Sequence, residues 1–373
     1  MKFSIDRSAL LRSLGHVQSA VERRNTIPIL ANVLLKAQGN SLSLSTTDMD
    51  LEINETVAAS VSDAGEATAP AQTLYDIVRK LPDDATIELE TTTSNALMTV
   101  TAGRSQFKLG CLPTADFPQL SADDMEISFD IPAAELRSLI DKTRFAISTE
   151  ETRYYLNGIY IHAIQVDNVW LLRSVATDGH RLARFEMPLP DGAQQMPGVI
   201  IPRKTVLELR KLVDEAADTI TISLSETKIR FSFDHIVLTS KLIDGTFPDY
   251  ERVIPANNDK IVEISPKALA SAVDRVSTIS TEKTRAIKLQ INGKTMTLTA
   301  NSPDSGSASE ELEVMFEDQN GIEIGFNSRY LLDIAQQIEG EGVRLSMADG
   351  STATIIQDLG DQSSLYVLMP MRV

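Results

Sequence analysis

Residues 126–148 read EISFDIPAAELRSLIDKTRFAIS, and the same layout stands at two other places in the chain. MKFSIDRSALLRSLGHVQSAV occupies 1–21, and KIVEISPKALASAVDRVSTIS occupies 260–280. Each starts as a short alternating strand, passes a Ser or Pro, and continues at helical spacing. Leu10, Leu11, Leu14 and Val17 make one apolar face in the first copy. Leu136, Leu139 and Ile140 do so in the second, and Leu269, Val273 and Val276 in the third. Ser8 is the expected N-cap of the first helix, and Pro132 and Pro266 suit the starts of the others.

The likeness extends downstream. A strand follows in each copy: PILANVLLKA, YYLNGIYIHA and TRAIKLQIN. Next comes a strand with its turn: LSLSTTDMDLEI, VWLLRSVATDGHRLARFEM and MTLTANSPDSGSASEELEV. A second helix then reads TLYDIVRKLP, RKTVLELRKLV or SRYLLDIAQQI, and further strands close each copy. Chance would rarely put so many element types in one order three times. The pattern predicts an α+β chain of three similar domains, each with two helices and two small sheets. Their expected bounds are 1–121, 122–256 and 257–373, with polar joints near 119–125 and 254–259.

Composition sets limits. The chain has 373 residues and a net charge of −17. Its one cysteine, Cys111, cannot form an internal disulfide or a cysteine cage for zinc. Charges interrupt the first apolar stretch, so no signal peptide is expected, and no apolar run reaches membrane-spanning length. A soluble cytoplasmic protein without membrane contact is expected. Charge is also unevenly spread. The six expected helices together carry a net +8, which leaves −25 on everything else. Solvated helix faces tolerate Lys and Arg readily, yet that does not explain why acids avoid the helices of so acidic a chain. The segregation suggests a basic helical surface for a polyanion, held through phosphate and without sequence preference.

The stretch ATDGHRLARFEMP, residues 176–188, looks at first like an active site because Asp178 and His180 flank a glycine. The corresponding turns of the other copies are Asp48-Met49-Asp50 and Ser302-Pro303-Asp304, without histidine. Asp178 therefore reads as a turn former that bonds its own backbone. His180 is either a satisfied strand-end histidine or part of a binding site. The sequence holds no G-x-x-x-x-G-K-[ST] loop, no G-x-G-x-x-G, no G-x-S-x-G elbow and no metal-ligand spacing. No catalytic residue, cofactor or metal is expected. The terminal YVLMPMRV adds methionines suited to an adaptable apolar surface.

Eight separated motifs then resemble one family in its own order: MKFSIDR, TIPILANVLL, LPTADFP, RYYLNGIYI, ATDGHRLA, IPRKTVLEL, GTFPDYERVIP and YVLMPMR. The chain resembles the bacterial DNA polymerase III beta subunits, the replicative sliding clamps, from end to end. The resemblance implies the DNA clamp fold: a crescent of three domains that closes head to tail into a homodimeric ring around duplex DNA. It implies a non-catalytic processivity factor that tethers its partners, an effective-concentration effect. The implied partners are the DNA polymerase III alpha subunit, the clamp loader and other proteins carrying a clamp-binding motif.

The same resemblance implies site residues. A peptide pocket would take Leu156, Thr177, Gly179, His180, Arg181 and Leu182, with Pro248, Arg252 and Val253 as a second wall. Met369, Pro370, Met371 and Arg372 would form a third. DNA would meet Arg24, Arg153, Tyr154, Tyr155, Arg203 and Lys204, the tyrosines by stacking on single-stranded bases. Phe107 would pack near Thr278 and Ile279 of a second copy. Two departures stand out: Glu150-Glu151 precedes the expected DNA stretch, and residues 303–307 carry few acids. A monomeric peptide-binding scaffold without a DNA role is the competing expectation.

Overall fold

The computed structural model describes residues 1–21, 26–91, 96–120, 125–280 and 285–372. Among the described residues six α-helices form: α1 (Arg7–Val17), α2 (Ala71–Lys80), α3 (Ala133–Asp141), α4 (Arg203–Val213), α5 (Pro266–Ser277) and α6 (Ser328–Ala335). One order recurs three times. A strand leads into α1, α3 or α5, further strands lead into α2, α4 or α6, and three strands follow.

The expected apolar faces are the buried ones. Leu10, Leu14 and Val17 of α1 are buried, as are Leu136, Leu139 and Ile140 of α3 and Leu269, Val273 and Val276 of α5. Each such side chain contributes about 1.5–3 kcal/mol by leaving water, so Leu14→Ala alone would cost about 2–5 kcal/mol. Leu11 departs from the expectation and is only half-buried.

Ser8 also departs from it. Helix α1 already begins at Arg7, after an extended Asp6 whose side chain makes no cap. The cause lies 71 residues away in sequence. Arg7 Nε donates to the Val78 carbonyl at 3.0 Å and Nη2 to the Arg79 carbonyl at 2.7 Å, satisfying the last turn of α2. Ser265 does cap α5, accepting from the Ala268 amide at 3.4 Å, with Pro266 at the first helical position.

Two compact units emerge. The first comprises residues 1–136, 190–196 and 204–242, and the second 137–189, 197–203 and 243–373. Both are built on sheets that join strands from different copies of the repeat. In the first unit, Ile236–Lys241 pairs antiparallel with Leu51–Ala58, Ile236 facing Glu55 and Ser240 facing Leu51, within an eight-stranded sheet. In the second, Ser364–Leu368 pairs antiparallel with Arg181–Pro188, Leu368 facing Arg181 and Ser364 facing Phe185, within a nine-stranded sheet. Thus the last strand of one copy pairs with the strand that follows the Asp turn of the preceding copy. Two such strands keep an open edge: Ser105–Gly110 ends a five-stranded sheet of the first unit, and Gly306–Glu313 ends a four-stranded sheet of the second.

Among the described residues no helix is long and apolar enough to cross a membrane, and no group of His, Cys, Asp or Glu is placed to hold a metal.

Candidate peptide-binding site

The turn at Thr177–Arg181 is held by its own side chains. Thr177 Oγ1 donates to the Arg181 carbonyl at 2.8 Å and accepts from the Gly179 amide at 3.1 Å. Asp178 Oδ1 accepts from the amides of His180 (2.9 Å) and Arg181 (3.0 Å). The first unit repeats this bond for bond. Thr47 donates to the Leu51 carbonyl and accepts from Met49, while Asp48 accepts from the amides of Asp50 and Leu51. Asp178 is therefore the turn former that the comparison of copies suggested. Backbone φ is +87° at Gly179 and +80° at Met49, so glycine relieves strain that the sister turn carries.

Side chains from the last third of the chain fix the turn. Arg181, nearly buried, donates to Asp178 Oδ2 (3.2 Å), Asp333 Oδ2 (2.5 Å) and the Phe145 carbonyl (2.6 Å). Its guanidinium lies 4.3 Å over the Tyr330 ring, and the His180 ring stacks on the same tyrosine at 6.2 Å. Tyr330 and Asp333 are three apart on α6 and so share a helix face. The chain terminus is tied by backbone: Met369 donates to the His180 carbonyl and Met371 to the Gly325 carbonyl, both at 2.9 Å. Met369 and Arg372 are left exposed, and Pro370 and Met371 half-exposed.

Beneath lies an apolar cluster. Leu156, Val175, Leu182, Phe247, Tyr250 and Val367 are buried together, with Tyr155 and Tyr160 packed against them. The 3-10 helix Tyr250–Val253 roots in this cluster through Tyr250 and projects Arg252 and Val253 outward, the latter 52% exposed. A polar brace anchors its root. Arg173, buried, donates to Tyr250 Oη (3.2 Å), Glu251 Oε1 (2.6 Å) and Glu186 Oε2 (2.6 Å), and His162 Nε2 lies 2.9 Å from the same tyrosine oxygen. Burial keeps His162 below its ordinary pKa and pushes Tyr250 above its own. For Arg173, burial alone would lower the pKa, but the bonds to Tyr250 and Glu186 hold the guanidinium above the usual arginine range.

The structure thus gathers Leu156, Thr177, Gly179, His180, Arg181 and Leu182 on one side, the Tyr250–Val253 segment with the exposed Pro248 beside the same cluster, and the Met369–Arg372 tail bonded to His180. An apolar floor under cationic and aromatic groups suits a short peptide with an apolar anchor.

The chain matches the DNA polymerase III beta subunit N-terminal domain over residues 1–121, the central domain over 130–249 and the C-terminal domain over 251–372. The chain belongs to the DNA polymerase III beta subunit family. It is 52% identical to the beta sliding clamp of Caulobacter vibrioides and 38% identical to that of Escherichia coli K12, each over the full length of both chains. Among solved structures it resembles the C. crescentus beta sliding clamp with polyethylene glycol bound (TM-score 0.98, 51% identity, 100% of this chain and 99% of that one). It also resembles the Bartonella birtlesii clamp bound to griselimycin (TM-score 0.97, 50% identity, 100% of both chains). Three domains of the DNA clamp fold therefore account for the three copies.

Arg24 lies outside the described residues. Arg153 donates to Glu150 Oε2 (2.8 Å) and the Asp178 carbonyl (3.2 Å), and Glu150 is held below its ordinary pKa by that bond. Glu150, suspect beside DNA, is thus Arg153's partner. A Cβ on Gly179 would sit 2.5 Å from Arg153 Nη1, so Arg153 lies at the pocket turn. Tyr154 is exposed and edges onto Tyr155 (5.8 Å, 78°), whose own side chain packs on the apolar cluster. Arg203 is exposed at the start of α4, whereas Lys204 is bound by Asp48 and the Ala20 carbonyl. Several cations of the helices, and of the turns just beyond them, are matched by acids, as in Arg12–Glu215, Lys142–Glu339, Arg144–Asp141, Arg210–Asp214 and Arg275–Glu310. Phe107 is exposed on the open edge Ser105–Gly110, and Thr278 and half-buried Ile279 follow α5. Sequence reasoning missed Tyr330, Asp333 and the Arg173 brace. Tyr330 and Asp333 at i, i+3 were a usable signal; the brace had none.

Proposed function

We propose that two copies of this chain close head to tail into a ring that encircles duplex DNA without sequence preference and tethers replication proteins through the pocket. The observation that carries this is the unused pair of sheet edges. Strand Ile236–Lys241 pairs with Leu51–Ala58, and Ser364–Leu368 with Arg181–Pro188, in matching register. By repeat position, Ser105–Gly110 corresponds to the first member of each pair and Gly306–Glu313 to the second. Within one chain neither has that partner; between two chains each meets the other, and a two-fold closure leaves neither of these two edges unpaired. The matching register sets Ser105 opposite Glu310, Phe107 opposite Ala308 and Leu109 opposite Gly306 of the other copy. The acids of that edge, Glu310, Glu311 and Glu313, lie just past the acid-poor 303–307.

The exposed cations Arg203, Lys80, Lys267 and Arg329 and the weakly paired surface ion pairs supply the DNA contacts, because exposed pairs exchange readily for phosphate. The reading gives the chain no reaction of its own, a cytoplasmic location, and domain bounds at 121/122 and 256/257. The alpha subunit and the clamp loader are the peptide donors it favours. The related Bartonella clamp's complex with griselimycin supports a ligand-binding role. Retention on closed circular DNA with loss after linearisation is the expected result; equal retention on both forms, or sedimentation as a single 40.9 kDa species, refutes the ring. Deleting residues 369–373 should abolish binding of a clamp-motif peptide and leave the dimer intact.

A further inference from the structure

The second unit holds a cleft that the pocket does not use. It encloses about 580 Å³ where the terminal strand Met315–Phe316 of the nine-stranded sheet meets the start of α5 and the Glu341–Gly342 turn. Ile264, Val314 and Phe316 are buried around it, while Met315 stands 65% and Leu359 38% exposed over it. Such large apolar side chains in water beside a concave surface are an uncompensated cost in an isolated chain. Leu359 lies close over Gly342: a Cβ there would sit 2.5 Å from its Cδ1.

The rim is acidic. Glu263, Glu313, Glu317 and Glu341 line it against a single base, Lys294. Glu263 is matched by Arg344 at 2.7 Å, but Glu313, Glu317 and Glu341 make no ion pair with any described residue. Strand Met315–Phe316 pairs on one side only, with Val262–Glu263, so its other side offers main-chain groups to an added strand.

We propose that this cleft binds an extended basic peptide, which sets one bulky apolar residue between Met315 and Leu359 and places Lys or Arg on either side against Glu313, Glu317 and Glu341. Charge excludes nucleic acid from the same place, and it distinguishes the cleft from the pocket, whose rim carries Arg153, Arg252 and Arg372. The seam register ends its pairing at Glu310, before the cleft residues begin, so a ring leaves the cleft open.

The probe is a fluorescein-labelled octapeptide of Lys and Arg around a central Leu-Phe, titrated against the full-length protein, with a Glu-substituted version as its control. Wild type binds the basic peptide and not the acidic one. Met315→Ser and the pair Glu317→Lys with Glu341→Lys each weaken it by about tenfold or more. The remote pair Asp218→Lys with Glu226→Lys, and deletion of 369–373, leave the affinity unchanged. Because the substituted positions Met315, Glu317, Glu341, Asp218 and Glu226 are exposed, these variants retain the fold, and circular dichroism checks the fold of every variant. Equal weakening by the remote pair shows mere attraction to an acidic protein and overturns the proposal. So does loss on deleting 369–373, which assigns the peptide to the pocket. A change of oligomeric state in Met315→Ser also overturns it, by making a second copy the occupant.

Discussion

Arg181 and Asp333 meet at 2.5 Å although 152 residues separate them, and through this bond α6 holds the turn of the candidate peptide pocket. Arg181 serves three acceptors at once and lies over Tyr330, a task for a planar guanidinium and not for an ammonium. Arg181→Met leaves Asp178 and Asp333 facing each other without a cation, and should cost about 3–5 kcal/mol in urea unfolding. Asp333→Asn keeps an acceptor and should cost about 1 kcal/mol. Both should weaken a clamp-motif peptide, Arg181→Met more. Equal stability of wild type and Arg181→Met would show that the network contributes nothing.

Gly179 and Met49 occupy the same position of two identical turns, at φ +87° and +80°. The backbone therefore accepts a side chain there at a strain of about 1–2 kcal/mol. Gly179→Ala should fold, losing about that much. Its new methyl would drive Arg153 off the Asp178 carbonyl, so peptide affinity should fall further than stability suggests. In a double-mutant cycle, Arg153→Ala should then add little to Gly179→Ala; full additivity would mean that Arg153 does not lie over the turn.

The legible part of this fold was local. The apolar spacing of Leu136, Leu139 and Ile140 stated a buried helix face, and the threonine and aspartate before Gly179 stated a self-bonded turn, because both depend on neighbours within a few residues. What escaped was long-range. Ser8 was misplaced as a cap because Arg7, reaching across to α2, decides where α1 starts. The strand pairing of Ile236–Lys241 with Leu51–Ala58 crosses copies, and no periodicity records which copy a strand will join. The pocket's outer residues came from resemblance, while its supports at Arg173 and Tyr250, 77 residues apart, carry no pattern. The charge of Lys204 is visible in sequence, whereas its partner Asp48, 156 residues away, is not.

The Arg173 brace gives a test that separates the pocket from the fold beneath it. Tyr250→Phe removes the oxygen shared by His162 and Arg173 and keeps the ring in the cluster. Stability should fall by about 1–3 kcal/mol, since the donors it leaves are partly buried. The Arg252–Val253 wall, rooted only through this segment, should loosen, and a clamp-motif peptide should dissociate faster. Unchanged dissociation would detach the brace from the pocket.

His16 sits between two carboxylates, 2.7 Å from Glu55 and 3.0 Å from Glu215, while Ser13 and Arg12 bond those same acids. Burial alone would lower its pKa, but the two glutamates outweigh it and raise the value above 6.5. A histidine that holds its proton more tightly when folded stabilises fully below its unfolded pKa, and that contribution fades as pH rises through the folded value. The gap in stability between wild type and His16→Gln should therefore be widest below pH 6.5 and shrink as pH rises through the raised folded value. His162, kept neutral by burial, slopes the other way in both proteins and cancels in the difference. A gap that widens with pH would contradict the assignment.

Cross-linking reads the seam register directly. Opposite residues of antiparallel strands lie about 4.5–5.5 Å apart at Cα, within the span a disulfide requires. With Cys111→Ser removing the one native thiol, Phe107→Cys combined with Ala308→Cys should oxidise to covalent dimers that enclose the ring at both seams. Shifting one residue, to Phe107→Cys with Ser307→Cys, turns the second side chain to the other face of the sheet and should give little product. Protein trapped on closed circular DNA should then withstand high salt and denaturant only with the matched pair. Strong cross-linking by the shifted pair and none by the matched one would mean that the seam does not continue the pairing found inside each unit.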